Sequence, residues 1–136
     1  MLGARKGRRR QRALRIYFAT DVHGSERCFR KFLAAARIYE ADALVLGGDI
    51  AGKGLVPITG ENGSLEAEVR GERVTVPAAE EERLNAEINR IGFYPVRMEP
   101  EEIIALQDNP AAVDRLFREE IVNQVARWCE LAQERL

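Results

Sequence analysis

Histidine is nearly missing from this sequence: 136 residues hold one, His23. Any imidazole chemistry in the chain rests on that residue. Cysteine is almost as scarce, with Cys28 and Cys129 far apart and in no C-x-x-C pair. That excludes a disulfide framework and a zinc-knuckle pattern. Both cysteines fall in helical patterns, where an unpaired cysteine is ordinarily a small buried hydrophobe. Such usage implies a reducing, cytoplasmic compartment. No apolar run approaches the roughly 20 residues that cross a bilayer, so no membrane span is expected. The basic start mimics the head of a secretion signal. However, the apolar stretch behind it is short, meets Asp21 and carries no small-residue cleavage site. No internal repeat is visible.

Apolar residues make up 46% of the chain, enough for one domain with a core. The net charge of -1 hides an asymmetry. The first 15 residues hold seven of the 21 basic groups and no acidic one, leaving 14 basic against 22 acidic groups, or about -8, in the rest. Residues 1–13 lack hydrophobic periodicity and read as a disordered basic arm. Such an arm can meet nucleic acid or anionic lipid through phosphate contacts. It has no aromatic residue for base stacking, so any such binding would tolerate sequence. An upstream extension without function is the preferred reading, and nucleic acid is not the favoured partner. Nothing in the sequence defines an oligomeric state.

Two stretches carry chemistry. IYFATDVHGS ends an apolar run in Asp21 and His23, a D-x-H pair, and ALVLGGDIAGKG ends another in Asp49 one helix length later. Side chains at i and i+2 of an extended segment point the same way. Asp21 and His23 are therefore expected to share one ion if the strand stays extended through Val22. Parallel neighbouring strands then bring Asp49 to the same sheet edge, where open α/β sheets build their sites. Singly, Asp21 reads as a capping carboxylate, His23 as an incidental histidine and Asp49 as a turn residue. Together, at two strand ends of one unit, they read as a metal site, because carboxylate plus imidazole suits first-row divalent ions.

Residues 14–20 (LRIYFAT) are the expected first strand, its apolar residues consecutive as in a strand covered on both faces. A helix follows over 25–40, with Ser25 as N-cap. Phe29, Phe32, Leu33, Ala36 and Ile38/Tyr39 supply its apolar stripe. Residues 43–46 (ALVL) complete a βαβ unit, which is parallel in nearly all cases. Past Gly54, turn signals at Asn62-Gly63 and Arg70-Gly71 predict an antiparallel hairpin or meander. Pro77 opens a helix to about Arg90, ended by Gly92. FYPVRM is extended, and Pro100 opens a short helix through Leu106. Asp108 or Asn109 caps a last helix from Pro110, where Phe117, Ile121, Val125, Trp128 and Ala132 recur at helical spacing. Two parallel strands alone fall short of a stable sheet. Leu14, Ile16, Phe18, Leu44 and Leu46 need cover on both faces, and Trp128 is the expected anchor over one of them.

Gly47 to Lys53 also reads G-x-x-x-x-G-K after a strand, most of a phosphate-binding loop. Gly54 stands where the magnesium-binding hydroxyl belongs. Asp49 puts negative charge where phosphate would sit, and Leu55-Val56-Pro57-Ile58 is no helix start. A degenerate P-loop nucleotide binder is the lesser alternative.

The D-x-H pair followed by G-G-D after a strand resembles the start of the calcineurin-like metallophosphoesterases, over about residues 14–54. The resemblance implies an α/β fold, a two-sheet sandwich flanked by helices. It assigns Asp21 and His23 to a first metal and Asp49 to a bridge between two. Two divalent metal ions are the implied cofactors; manganese suits the mixed donor set, with iron, zinc and nickel as alternatives. The implied substrate is a phosphate ester, mono- or diester. Its hydrolysis is an in-line displacement with attacking and leaving oxygens clamped between the ions. The family pattern continues with G-N-H/D, a further histidine and G-H-x-H. This sequence has no second histidine and no Gly-Asn pair. The expectation is an N-terminal portion of a longer hydrolase, inactive alone. It comprises a basic arm at 1–13, a βαβ metal-site core at 14–54, and a hairpin plus helical insertion at 55–136 leading toward a missing half. The other class of function is a non-catalytic interaction or cap module formed by residues 55–136.

Overall fold

Ile16–Ala19 (β1) and Ala43–Leu46 (β2) pair in parallel, in register from Ile16↔Ala43 to Ala19↔Leu46. Glu26–Ile38 (α1) connects them, so the expected βαβ unit is present. These coordinates come from a computed structural model that describes residues 13–136. All but the last residue of the basic arm lies outside the described residues. Ser25 caps α1, its hydroxyl accepting the Cys28 N–H at 3.3 Å.

β1 buries one face, not two. Tyr17 and Ala19 pack with Leu44 and Leu46 against Phe29, Phe32, Leu33 and Trp128. On the other face Ile16 and Phe18 are 58% and 61% exposed, and Leu14 and Val45 are exposed beside them. The reason is that both packing helices lie on the same side of the two-stranded sheet. Trp128 is the anchor over the covered side, as its place on the apolar stripe predicts.

The remaining elements are Leu55–Glu61 (β3), Ser64–Val69 (β4), Glu72–Pro77 (β5), a 3-10 turn at Ala78–Glu80, Glu81–Arg90 (α2), Tyr94–Arg97 (β6), Pro100–Gln107 (α3) and Pro110–Arg135 (α4). The second sheet has the order β5-β4-β3-β6. Its meander forms where the turn signals fall. Asn62 and Gly63 have φ of 50° and 79°, and Arg70 and Gly71 have 57° and 79°. Paired left-handed residues match the twist of a two-residue hairpin. FYPVRM is more than an extended connection. Tyr94–Arg97 pairs in parallel with β3, from Leu55↔Tyr94 to Ile58↔Arg97, which makes β3 an interior strand. Val56, Ile58, Leu65, Ala67, Val69 and Val76 from this sheet bury against Leu84 and Ile88 of α2.

The molecule is thus mixed α/β, with four α-helices and two sheets among the described residues. The Asn109 side chain caps α4, accepting the Ala112 N–H at 3.1 Å. In this 26-residue helix the buried residues are Gln124 and Trp128, one turn apart. Cys28 and Cys129 are free but both exposed, which corrects the expectation of burial. Each sits next to the stripe residue that takes the inward position, Phe29 and Trp128 respectively. No helix among the described residues is long and apolar enough to cross a membrane.

Candidate metal centre

Past the last paired residues of β1 and β2, backbone hydrogen bonds continue from loop to loop. The Gly47 N–H donates to Ala19 C=O at 2.8 Å, Asp21 N–H to Gly48 C=O at 3.2 Å, His23 N–H to Asp49 C=O at 2.9 Å and Gly24 N–H to Ile50 C=O at 2.8 Å. This ladder brings Asp21, His23 and Asp49 together. Each offers one ligand atom, and all three atoms lie within 4.8 Å of one another. His23 Nε2 is 3.7 Å from Asp21 Oδ1.

The convergence arises differently from the extended-strand expectation. β1 ends at Ala19, so the chain is not extended through Val22. Asp21 and His23 instead have φ of 59° and 46°, and Asp49 has 48°. Left-handed backbone is unfavourable for residues with a Cβ, and it persists where surrounding structure imposes it. Six described non-glycine residues have positive φ. Asn62 and Arg70 serve the two tight turns, and Glu40 follows the end of α1. The other three are the candidate ligands. Between the first two kinks, Val22 is buried in the core under β1 and β2. It anchors the loop while Asp21 and His23 reach the surface on either side of it.

The helix-cap alternative for Asp21 does not hold. Ser25, not Asp21, caps α1. Among the described residues no hydrogen bond ends on the carboxylate of Asp21 or Asp49. Both aspartates are exposed and His23 is half-buried, so all three are open to solvent ions. A cation held at about 2.0–2.2 Å by each donor brings its ligands within about 4.4 Å of one another. The cluster therefore fits a divalent ion after a small inward movement of exposed side chains. The P-loop alternative fails on geometry, since Gly54 leads into strand β3 and no helix N-terminus follows the Gly47–Lys53 loop.

Behind the two loops lies a buried polar chain that the sequence did not announce. Gln124 Nε2 donates to Gly24 C=O at 2.7 Å. The Tyr94 hydroxyl donates to Gln124 Oε1 at 2.9 Å and accepts the Gly52 N–H at 2.7 Å. Burial pushes the Tyr94 hydroxyl above its usual 10.0, outweighing the Gly52 N–H and Arg127, which favour the phenolate. The one hint in the sequence is a polar residue, Gln124, four places before Trp128 on the buried stripe of the last helix.

Comparison of the chain with protein-family models, with curated proteins and with solved structures finds no match.

Proposed function

We propose that Asp21, His23 and Asp49 form a divalent-cation site of the metallophosphoesterase type, serving hydrolysis of a phosphate ester. The observation that carries this reading is the meeting of the three donors within 4.8 Å at the ends of two parallel strands. Their left-handed backbone supports it, since strain of this kind concentrates at functional sites. Within this reading β1 and β2 belong to the family's two-sheet sandwich, and manganese is the first ion to test. A bound ion would supply Lewis acidity toward a phosphoryl oxygen. The chain's own part is to hold that ion with two carboxylates and one neutral imidazole nitrogen. Three donors suit one ion. The second ion of the family site needs donors that this sequence does not carry, so the chain alone has negligible esterase activity.

Calorimetric titration of the full chain with Mn²⁺, beside hydrolysis assays on p-nitrophenyl phosphate and its bis ester, tests the proposal. One saturable ion per chain, lost in Asp49→Ala, with negligible hydrolysis, is the expected result. Absence of saturable binding overturns the site. Strong turnover that Asp49→Ala abolishes would overturn the single-ion statement and keep the enzyme class.

A further inference from the structure

Gln124 is an unusual residue to find inside a helix-packing contact. It is 4% exposed, and apart from the capping residue Ser25 it is the one buried polar residue among those described. Tyr94 is 1% exposed. A buried amide or hydroxyl is costly unless its hydrogen-bonding groups are matched. An apolar side chain at 124 would pack beside Trp128 at no such risk. The reason for a glutamine must therefore lie in what it bonds.

Both ends of the polar chain are backbone groups of the two donor loops. The Gly24 carbonyl, one residue past His23, accepts from Gln124, and the Gly52 N–H, three residues past Asp49, donates to Tyr94. The loops touch closely at these two glycines: a Cβ on Gly24 would lie 2.7 Å from the Gly52 Cα. The links come from β6 and α4, far along the chain at sequence separations of 42 and 100. The loops they clamp contain all three left-handed donor residues, a conformation that needs outside support. The front of each loop is tied by the ladder from His23 to Asp49 and from Gly24 to Ile50. The back is tied by the Gln124–Tyr94 pair, by the Lys53 N–H, which donates to Gly92 C=O at 2.7 Å, and by the Tyr94 N–H, which donates to Gly54 C=O at 2.9 Å.

We propose that Tyr94 and Gln124 are positioning residues of the cation site: they clamp the Gly24 and Gly52 backbone and so set the spacing of His23 and Asp49. Residues 55–136 are by this account the buttress of the site rather than a detachable cap. The inference rests on reading Asp21, His23 and Asp49 as cation ligands. Partners that orient ligands from behind are typically worth about 10–100-fold in metal affinity, and these two act one bond further back, through the loop backbone.

The test uses the full chain in four variants beside the wild type. Tyr94→Phe removes only a hydroxyl, and Gln124→Met keeps length while removing both polar groups. Leu65→Val lowers stability from the other core, where Leu65 is fully buried. Asp49→Ala removes a donor. Mn²⁺ affinity is measured by calorimetry under conditions where each variant is folded. Amide hydrogen exchange is followed at His23, Gly24 and Gly52. Tyr94→Phe and Gln124→Met are expected to weaken Mn²⁺ binding by about tenfold and to speed exchange at the three amides. Leu65→Val is expected to lower the melting temperature with affinity and loop exchange unchanged. Wild-type affinity and wild-type exchange in both Tyr94→Phe and Gln124→Met would reduce the pair to core filler. A wild type that binds no Mn²⁺, or binds it as Asp49→Ala does, overturns the cation reading itself. The two failures are thus told apart by whether the wild type binds.

Discussion

Trp128 lies flat against Phe29, with ring centroids 4.2 Å apart and planes within 3° of parallel. The contact fastens the last helix to the first, and both residues are buried. It also carries Gln124, one turn away on the same helix, to its bond with the Gly24 carbonyl. Trp128→Ala should cost about 3–5 kcal/mol, the usual range for emptying a large aromatic site. Urea unfolding reads this directly. A loss below about 1 kcal/mol would show that α4 is not held by this stack.

Two glycines with almost equal φ should respond unequally to alanine. Gly24 has φ 70° and the Gly52 backbone where a Cβ would go, whereas Gly63 has φ 79° and open space there. Gly63→Ala should cost only the left-handed penalty, about 1–2 kcal/mol. Gly24→Ala adds a backbone collision and should cost clearly more, with loss of Mn²⁺ binding. Equal melting temperatures for the two variants would contradict the close approach of the loops.

Alkaline stability should depend on Tyr94. Burial raises its folded pKa above the usual 10.0. As pH rises through about 10, the unfolded chain gives up this proton first and binds fewer protons than the folded one, so stability falls with pH. The contribution is fully present below that point and disappears as pH climbs through the folded value. Tyr94→Phe lacks this dependence. Its stability deficit relative to wild type, measured by urea unfolding from about pH 8 to 11, should shrink as pH rises. A constant deficit would argue against a desolvated phenol.

The bare face of the two-stranded sheet should drive association. Leu14 and Ile16 are exposed on it beside Phe18 and Val45. Exposed apolar patches and unpaired strand edges promote self-association. Replacing Leu14 and Ile16 together by Thr removes apolar surface and keeps a β-branched residue at position 16 of the strand. It should lower light scattering at high concentration while changing stability by no more than about 0.5 kcal/mol per site. Unchanged scattering would place any association elsewhere.

Much of this molecule was legible before folding. The βαβ unit, the meander with its two tight turns, the Ser25 cap, a cap at Asp108 or Asn109 and the anchor at Trp128 all follow from short-range signals. The grouping of Asp21, His23 and Asp49 was also legible, as polar residues ending two apolar runs. The route by which the trio meets was not. Period-two alternation predicted an extended Asp21–His23 pair, but left-handed kinks on either side of buried Val22 produce it. Nor did consecutive apolar residues in β1 reveal that one face would be bare. A strand's composition does not say on which side helices will settle.

By itself the sequence determined most of the helix, strand and turn segments, and it placed Asp21, His23 and Asp49 at the ends of two apolar runs. Those properties depend on residues within a few positions of one another. Only the tertiary structure decided that β6 pairs with β3, that α1 and α4 cover the same face of β1, and that Gln124 and Tyr94 reach the donor loops. Each of those depends on a meeting between distant segments. Such meetings are selected by burial and matched hydrogen bonds over the whole chain, which no local pattern records.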